Sequence, residues 1–362
     1  MVDFTLEIPK DKPPVILQLS DPQIIDASQA VKGRLKDAEE AYWEKDKKEE
    51  RAFKYLREII ENTKPDLILI AGDIVYGEFD HNGSALLGFI EFMDSFQIPW
   101  APVLGNHETE SKMGVDWQSE QLSGAKYCLF KQRTLTGNGN YTVGIKQDGK
   151  LTRVFYMMDS NSGYPSEKSV ANGHSRHPAG FGDDQIEWYT NGIKEIHAAS
   201  PDTKIGFVFH IAIYAHEKSL EKYGYVNDRS SSVFPIMIDE KDKTGTDFGF
   251  ALLPTPSWDK DMRVFEELKS LGTDLISVGH DHECSASVVY EGVRLQFGLK
   301  STTYDSNVYR DENGNLKKSW TPAGTPIIGG TVMELNQENG EVTKAYHYYC
   351  KNVECERLCH IT

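Results

Sequence analysis

Short apolar runs that end in polar residues are the feature that most constrains how this chain can fold. Runs this short and this apolar are typical of strands buried on both faces of a sheet. Five of them lie at residues 15–19, 67–71, 100–104, 205–209 and 275–278. The sequence therefore predicts a core built on sheets.

Apolar residues at helical spacing between these runs predict an α/β fold. Later in the chain, short apolar runs come in pairs, which indicates hairpins and therefore mixed sheets. The helical stretches are residues 35–62, 84–96, 183–197 and 260–271. The paired runs are residues 141–145 with 151–158, 286–290 with 293–297, and 330–335 with 342–349.

The chain of 362 residues contains no linker rich in glycine and proline that would divide it. We therefore predict one domain over residues 1–362, with a loose leader at 1–14 and a tail at 350–362. A long polar stretch at residues 223–258 is interpreted as an insertion.

The net charge of −16 excludes several classes of partner. Proteins that bind nucleic acids or anionic membranes carry a basic patch, and none is found in this sequence. The N-terminal residues lack the basic and apolar segments of a signal peptide, and the apolar runs are too short to span a bilayer. We therefore expect a cytoplasmic protein with no nucleic-acid or membrane partner.

The five cysteines do not form a recognisable disulfide framework. Cys350, Cys355 and Cys359 cluster near the C-terminus, followed by His360. A small zinc site or a disulfide is one interpretation of this cluster. The spacing lacks the paired C-x-x-C form of zinc sites, so we expect free thiols on a tail.

Each of the five apolar runs is followed by residues that can bind metals. The carboxyl ends of strands in an α/β sheet are where sites form, so these residues are expected to converge. Carboxylate, amide oxygen and imidazole bind Mn, Fe and Zn, and one carboxylate can bridge two such ions. In chain order the residues are Asp21 and Gln23, Asp73, Asn106 and His107, His210, and finally His280 and His282. The sequence thus predicts a pair of divalent or trivalent ions that act on a small phosphorylated substrate.

These residues, in this order, resemble the motifs of the calcineurin-like metallophosphoesterases. The family pattern is D-x-H, then GD, GNH followed by D or E, a single H, and GH-x-H. The stretches GDIVYGEFD, IPWAPVLGNHE and VFHIAIYAHE look most like the purple-acid-phosphatase-like members. The resemblance implies a four-layer α/β/β/α sandwich of two mixed sheets flanked by helices.

The resemblance also implies a role for each candidate residue. A metal-bridging hydroxide would attack phosphorus, and His107 would protonate the leaving group. Glu108 and Asp281 are expected to support the site. The first metal would be held by Asp21, Gln23, Asp73 and His282, and the second by Asp73, Asn106, His210 and His280.

One position departs from the common family pattern, because Gln23 stands where most members have histidine. A competing pattern is Gly72-Asp73-x-x-Tyr76, which resembles the motif whose tyrosine binds ferric iron in purple acid phosphatases. We expect Gln23 to be the ligand and Tyr76 to be a packing residue. His174 and His177 are interpreted as surface-loop residues, with lining of the cleft as the alternative.

The expected activity is that of a phosphomonoesterase. A phosphodiesterase or nucleotide diphosphatase with the same metals is the first alternative. A scaffold that keeps the fold without catalysis is the second.

Overall fold

The computed structural model describes most of the chain, in stretches that together carry the fold. They are residues 2–29, 45–161, 180–225, 236–252, 261–303, 308–318 and 324–353. The α-helices within them are α1 Lys45–Thr63, α2 Ser84–Ser95, α3 Gly114–Gly124, α4 Asp183–Ala199, α5 Tyr214–Leu220 and α6 Arg263–Ser270.

A five-stranded sheet forms the first half of the core. Its central strands are parallel and highly apolar, and all five residues of the middle strand, Leu67–Ala71, are buried. The strands in spatial order are β17 Val342–Tyr349, β16 Gly329–Leu335, β2 Val15–Leu19, β3 Leu67–Ala71 and β4 Trp100–Val103. The antiparallel pairing of β16 with β2 and β17 makes the sheet mixed.

A seven-stranded sheet forms the second half of the core. Four neighbouring strands in the middle of this sheet run parallel to one another, and the strand at one edge pairs antiparallel with the last of them. The strands in spatial order are β1 Phe4–Glu7, β5 Tyr141–Gln147, β6 Lys150–Met157, β7 Lys204–Val208, β10 Thr273–Val278, β12 Val293–Phe297 and β11 Ser287–Tyr290.

Apolar contacts on the faces of these sheets create a four-layer arrangement. One core joins Ile59 of α1 to the five-stranded sheet and includes Phe155 and Met157, which project from one face of β6. Tyr156, which lies between Phe155 and Met157 in the sequence, projects from the other face, because side chains alternate along a strand. It stacks on Phe207 in a second core that includes α4 and α6. The predicted four-layer α/β/β/α sandwich is confirmed.

Helix α2 begins where a nearby side chain satisfies its free backbone N–H groups. Asp80 accepts hydrogen bonds from the N–H groups of Ala85 and Leu86 at 2.8 and 3.1 Å, in the first turn of α2. Negative charge at this end also favours the helix dipole. The helix therefore begins beside the turn at residues 77–81, which contacts the site described below.

The N-terminal residues are more ordered than the sequence indicated. Phe4–Glu7 forms β1, which pairs in parallel with β5 at the edge of the seven-stranded sheet. Phe4 and Leu6 are partly buried against the core, whereas Thr5 and Glu7 are exposed. The expectation of a loose leader is therefore wrong for these residues, because alternation over four residues is enough for an edge strand.

Short strands outside the two sheets form two small additions. One is a ribbon of β8 Ile236–Met237 and β9 Phe250–Ala251 within the predicted insertion. The other is a sheet of β13 Val308–Arg310, β14 Leu316–Lys318 and β15 Thr325–Pro326. Among the described residues, no helix is both long enough and apolar enough to cross a bilayer.

Candidate metal centre

The predicted ligands come from the carboxyl ends of five strands in the two sheets. Asp21 and Gln23 follow β2, Asp73 follows β3, and Asn106 with His107 follows β4. From the other sheet, His210 follows β7, and His280 with His282 follows β10. The three strands of the five-stranded sheet are parallel to one another, and so are the two strands of the seven-stranded sheet. Their carboxyl ends therefore lie at one edge of each sheet, as the sequence predicted.

Two groups of potential ligands share the carboxylate of Asp73. In the described part of the chain, the ligand atoms of Asp73, His210 and His280 lie within 4.8 Å of one another. Those of Asp21, Asp73 and His282 meet the same limit. Two cation sites joined by one carboxylate is the arrangement of a dinuclear centre.

The group formed by Asp73, His210 and His280 also includes the amide of Asn106. The Nε2 atom of His210 lies 3.2 Å from Oδ2 of Asp73 and 3.0 Å from Oδ1 of Asn106. On the other side of the ring, Nδ1 lies 2.8 Å from the main-chain oxygen of Ala71 and donates to it. This bond leaves Nε2 as the atom that can bind a metal, because only one ring nitrogen of a neutral imidazole carries hydrogen.

The group formed by Asp21, Asp73 and His282 is held together by contacts between the two sheets. The Nε2 atom of His282 lies 3.6 Å from Oδ1 of Asp21. The backbone N–H of His280 donates to both carboxylate oxygens of Asp21, at 3.0 and 3.2 Å. One loop therefore fixes the carboxylate of the other, and the ligands on both need little movement to bind an ion.

Four of the candidate ligands have an unusual backbone conformation. Asp21, Gln23, Asp73 and His280 have φ angles of 51°, 47°, 49° and 70°, a left-handed region that non-glycine residues rarely adopt. Such strain persists where surrounding contacts impose it, and it clusters at functional sites. Four strained residues in one small region support a functional role for that region.

Glycines beside the ligands allow loops to approach closely. A Cβ atom at Gly105 would lie 2.1 Å from Oδ1 of Asp73, and a Cβ atom at Gly72 would lie 2.4 Å from Nδ1 of His210. Both distances are far below van der Waals contact. The glycines that precede Asp73 and Asn106 are therefore required by the space that Asp73 and His210 occupy.

Glu108 connects two of the ligand loops, in the supporting role expected from the sequence. Its buried carboxylate accepts hydrogen bonds from the N–H groups of Gly105 and Ile74, both at 2.6 Å, and of Val75 at 3.2 Å. Burial and the nearby charge of Asp73 raise the pKa of Glu108 to about 7. The backbone bonds fix the spacing between the loop of Asp73 and the loop of Asn106.

His107 is held on three sides. Its Nδ1 atom lies 2.8 Å from Oε2 of Glu110, and its Nε2 atom lies 3.9 Å from Oδ2 of Asp73. The Tyr76 ring packs against its face, with centroids 4.1 Å apart and planes inclined by 33°. Burial lowers the pKa of His107, but Asp73 and Glu110 outweigh it and raise the pKa to about 9. The residue can therefore hold a proton next to the candidate metal sites.

Two residues at the site were not recognised in the sequence. Glu110 lies three residues after His107 in the same short turn, so its spacing could have indicated the contact. Lys300 carries no such signal, because it contacts the Asp21–Gln23 segment across the fold. Its ammonium group donates to the side-chain oxygen of Gln23 at 2.8 Å.

The floor of the site is buried and the rim is open to solvent. The side chains of Asp73 and Asp21 are only 1% and 2% exposed, whereas those of His107 and His282 are 16% and 9% exposed. Burial raises the pKa of Asp73, but the imidazoles of His210, His107 and His280 lower it below its ordinary value. The floor thus supplies negative charge, which suits cations.

Residues outside the described stretches include several from the sequence predictions. His174 and His177 lie there, as do Cys355, Cys359 and His360. Cys350 is described and is a free, partly buried thiol. The two alternatives for the cysteine cluster stay predictions.

The geometry fits a pair of metal ions. Carboxylate, amide and imidazole atoms converge in two groups, and the hydrogen bond from Nδ1 of His210 aims its other nitrogen at the shared carboxylate. Hard oxygen and borderline nitrogen ligands of this kind suit Mn, Fe or Zn. Asp21, Asp73, His210, His280 and His282 would hold the ions, with Asn106 beside them.

Comparison with curated proteins finds relatives over part of the chain. A protein of Arabidopsis thaliana named probable inactive purple acid phosphatase 28 is 41% identical over 106 residues, which cover 25% of this chain and 27% of that protein. The phosphatase DCR2 of Saccharomyces cerevisiae is 31% identical over 119 residues, which cover 30% of this chain and 20% of that protein. The chain thus matches about a quarter of the length of these relatives.

Comparison with solved structures and family models covers more of the chain. A dimetal phosphatase from Danio rerio aligns with 90% of this chain and 93% of its own, at 12% identity and a TM-score of 0.49. The model of the calcineurin-like phosphoesterases matches residues 14–284, which include every predicted ligand. The chain belongs to the calcineurin-like phosphoesterase family.

Proposed function

We propose that this protein is a dinuclear-metal phosphomonoesterase. The observation that carries the proposal is the pair of ligand groups that share Asp73, with His107 beside the shared carboxylate. Bound at these groups, two ions would neutralise the substrate oxygens and lower the pKa of bound water. The remaining steps fall to side chains of the chain itself.

His107 is the proposed acid. Its Nε2 atom faces Asp73 and its Nδ1 atom is engaged by Glu110, so the proton available to a substrate is on Nε2. The alcohol of a phosphate ester leaves more readily when its oxygen is protonated as its bond to phosphorus breaks. The position of His107 on the exposed rim, above the buried Asp73, gives a leaving group room on the solvent side.

Local charge offsets the repulsion that a substrate meets elsewhere on the protein. The chain carries a net charge of −16, which disfavours a phosphate dianion at long range. Cations held by Asp21 and Asp73, together with protonated His107, would reverse the sign of the charge at the site. Two named relatives with phosphatase names support a phosphate ester as substrate.

Turnover of two related substrates tests the proposal. The purified protein, loaded in turn with Mn²⁺, Fe²⁺ and Zn²⁺, is assayed with p-nitrophenyl phosphate and with bis(p-nitrophenyl) phosphate. We expect faster hydrolysis of the monoester with at least one metal. Faster hydrolysis of the diester would instead support the phosphodiesterase alternative.

A protein that binds metals but hydrolyses no substrate would contradict the proposed activity. If metals bind in the expected stoichiometry but neither ester nor a nucleoside diphosphate is hydrolysed, the protein is a non-catalytic scaffold and the proposed activity is wrong. The word "inactive" in the name of the Arabidopsis relative makes this control necessary. The Asp73→Asn variant, assayed in parallel, measures hydrolysis by contaminating phosphatases.

A further inference from the structure

Lys300 is a buried lysine at the edge of the first candidate cation site. Its side chain is 3% exposed and lies in the segment that follows β12. That segment is anchored along its length: the N–H of Gly329 donates to the oxygen of Lys300 at 2.9 Å, and the N–H of Ser301 donates to the oxygen of Ser20 at 3.0 Å. The main chain that carries Lys300 is therefore held in place.

The contacts of Lys300 converge on the ligand segment after β2. Its Nζ atom donates to the main-chain oxygen of Asp21 and, at 2.8 Å, to the side-chain oxygen of Gln23. Thr302 donates to the main-chain oxygen of Pro22 at 2.7 Å. Both Asp21 and Gln23 have left-handed backbone conformations, so these bonds support the strained segment.

The orientation of the Gln23 amide has a direct consequence for metal binding. A side-chain amide binds a cation through its oxygen, because its nitrogen carries two hydrogens and acts as a donor. In Gln23 the oxygen accepts from Lys300, and the buried nitrogen has no hydrogen-bond partner among the described residues. Rotating the amide would place its NH₂ group against the ammonium group, which is unfavourable.

The charge of Lys300 also affects the site. A buried ammonium group is costly unless negative charge lies nearby, and Lys300 is bound to the same residue whose carboxylate is a candidate ligand. A fixed positive charge beside Asp21 competes electrostatically with a metal cation at that position. No such lysine contact is described at the His210, His280 and Asn106 group.

We infer that Lys300 and Gln23 form a clamp beside the first metal site, so that Gln23 is not a ligand and the Lys300 charge weakens cation binding by Asp21, Asp73 and His282. The second site, formed by Asp73, Asn106, His210 and His280, is then the tighter of the two. This inference rests on the proposed dinuclear centre. It predicts that the site of Asn106, His210 and His280 binds its metal ion before the site of Asp21 and His282 does.

Metal content measured without any assay of activity tests the inference. The metal-free protein is dialysed against increasing Mn²⁺, and bound manganese is determined by elemental analysis. We expect two separate binding steps in the wild type. In Lys300→Met, the weaker step should tighten by about tenfold or more, because a positive charge has been removed. In Gln23→Ala, both steps should remain within about threefold of the wild type.

A control variant and three contrary outcomes complete the test. Lys150→Met, at the hairpin between β5 and β6, removes a lysine charge away from the site and should leave both steps unchanged. Loss of one bound metal in Gln23→Ala would establish Gln23 as a ligand and overturn the inference, as would an unchanged weaker step in folded Lys300→Met. Normal metal binding without ester turnover would defeat the proposed function while leaving the clamp intact. A wild type that binds no manganese would defeat both.

Discussion

At the residue scale, the chemistry depends on how His107 is held. Glu110 engages Nδ1, Tyr76 covers one face of the ring, and Nε2 faces Asp73. Each contact restricts the ring to one orientation, so its proton is presented to the rim of the metal centre. Tyr76 packs against His107, whether Tyr76 also binds a metal stays a prediction, and the amide orientation of Gln23 led us to infer that Gln23 is not a ligand.

Replacing His107 with alanine should remove the acid while leaving the metals bound. We expect kcat for an alkyl phosphate to fall by about 100-fold or more, because general acid catalysis typically contributes that much. Steady-state kinetics and elemental analysis of the same preparation provide the measurement. Full activity in His107→Ala would remove the general-acid assignment.

Replacing Glu110 with glutamine should disturb the orientation and charge of His107 without changing the metal ligands. We expect kcat to fall by roughly tenfold or more for an alkyl phosphate and much less for a nitrophenyl phosphate, whose leaving group needs no proton. The measurement is the dependence of kcat on leaving-group pKa. Glu78→Gln, at another carboxylate in the neighbouring turn, is the matched control. An equal loss with both substrates would indicate that Glu110 has only a structural role.

The sequence predicted the candidate ligands and the supporting Glu108 but missed Glu110 and Lys300, and the reason is physical. A ligand follows a buried strand within a few residues, so the pattern of Asp73 or His280 is visible locally. Lys300 meets Gln23 only because β12 and β2 end near each other in different sheets. A contact of this kind depends on the three-dimensional fold and leaves no local pattern.

At the element scale, several strands of the two large sheets were predicted with the limits that the structure has. Val293–Phe297 and Val342–Tyr349 have the predicted limits, and Leu67–Ala71 coincides with the predicted apolar run. By contrast, the short helix α5 and the edge strand β1 were missed, since each is too brief for its periodicity to stand out. The helix predicted for residues 35–62 is described from Lys45 to Thr63, and residues 30–44 lie outside the described stretches.

The helix α5, which begins four residues after His210, contains a buried histidine. We expect this histidine to lower the free energy of unfolding at acid pH. His216 is buried and packs edge-on against Phe297, and burial lowers its pKa from 6.5 to about 4. The unfolded chain therefore binds more protons than the folded chain between these values. The stability due to neutral His216 is fully present above pH 6.5 and is lost as the pH falls towards 4, by about 3 kcal/mol in total.

Urea unfolding at several pH values measures this contribution. In His216→Gln, the free energy of unfolding should fall less steeply between pH 6.5 and 4.5 than it does in the wild type. His81→Gln, at a partly exposed histidine, is the control and should retain the wild-type slope. Equal slopes in His216→Gln and the wild type would show that His216 is not responsible.

At the scale of the whole molecule, the metal centre depends on how two sheets face each other. A buried polar network crosses between them: Gln18 of β2 donates to the main-chain oxygen of Val278 at 2.8 Å and accepts from Gln296 at 2.8 Å and from Ser277. Buried hydrogen-bonded groups of this kind restrict the relative position of the layers. Because Asp21 and His282 come from different sheets, this network helps to set the spacing of the first metal site.

Replacing Gln18 with leucine should test that coupling. We expect the free energy of unfolding to fall by about 2–3 kcal/mol, because Gln296 and Ser277 lose a buried partner. Metal binding that needs Asp21 and His282 together should weaken as well. Calorimetry and metal titration measure the two effects. Ile16→Val, on the same strand, should cost about 1 kcal/mol and leave the metals unaffected. Unchanged metal binding in Gln18→Leu would separate the network from the site.

The most direct test of the central claim is the metal content of Asp73→Asn compared with that of Asp21→Asn. Both variants are loaded with Mn²⁺ or Zn²⁺ at a concentration that saturates the wild type, and bound metal is counted by elemental analysis. Because one carboxylate serves both ligand groups, Asp73→Asn should lose both ions together, whereas Asp21→Asn should keep the ion at Asn106, His210 and His280. A folded Asp73→Asn protein that keeps one ion with wild-type affinity would contradict the shared carboxylate.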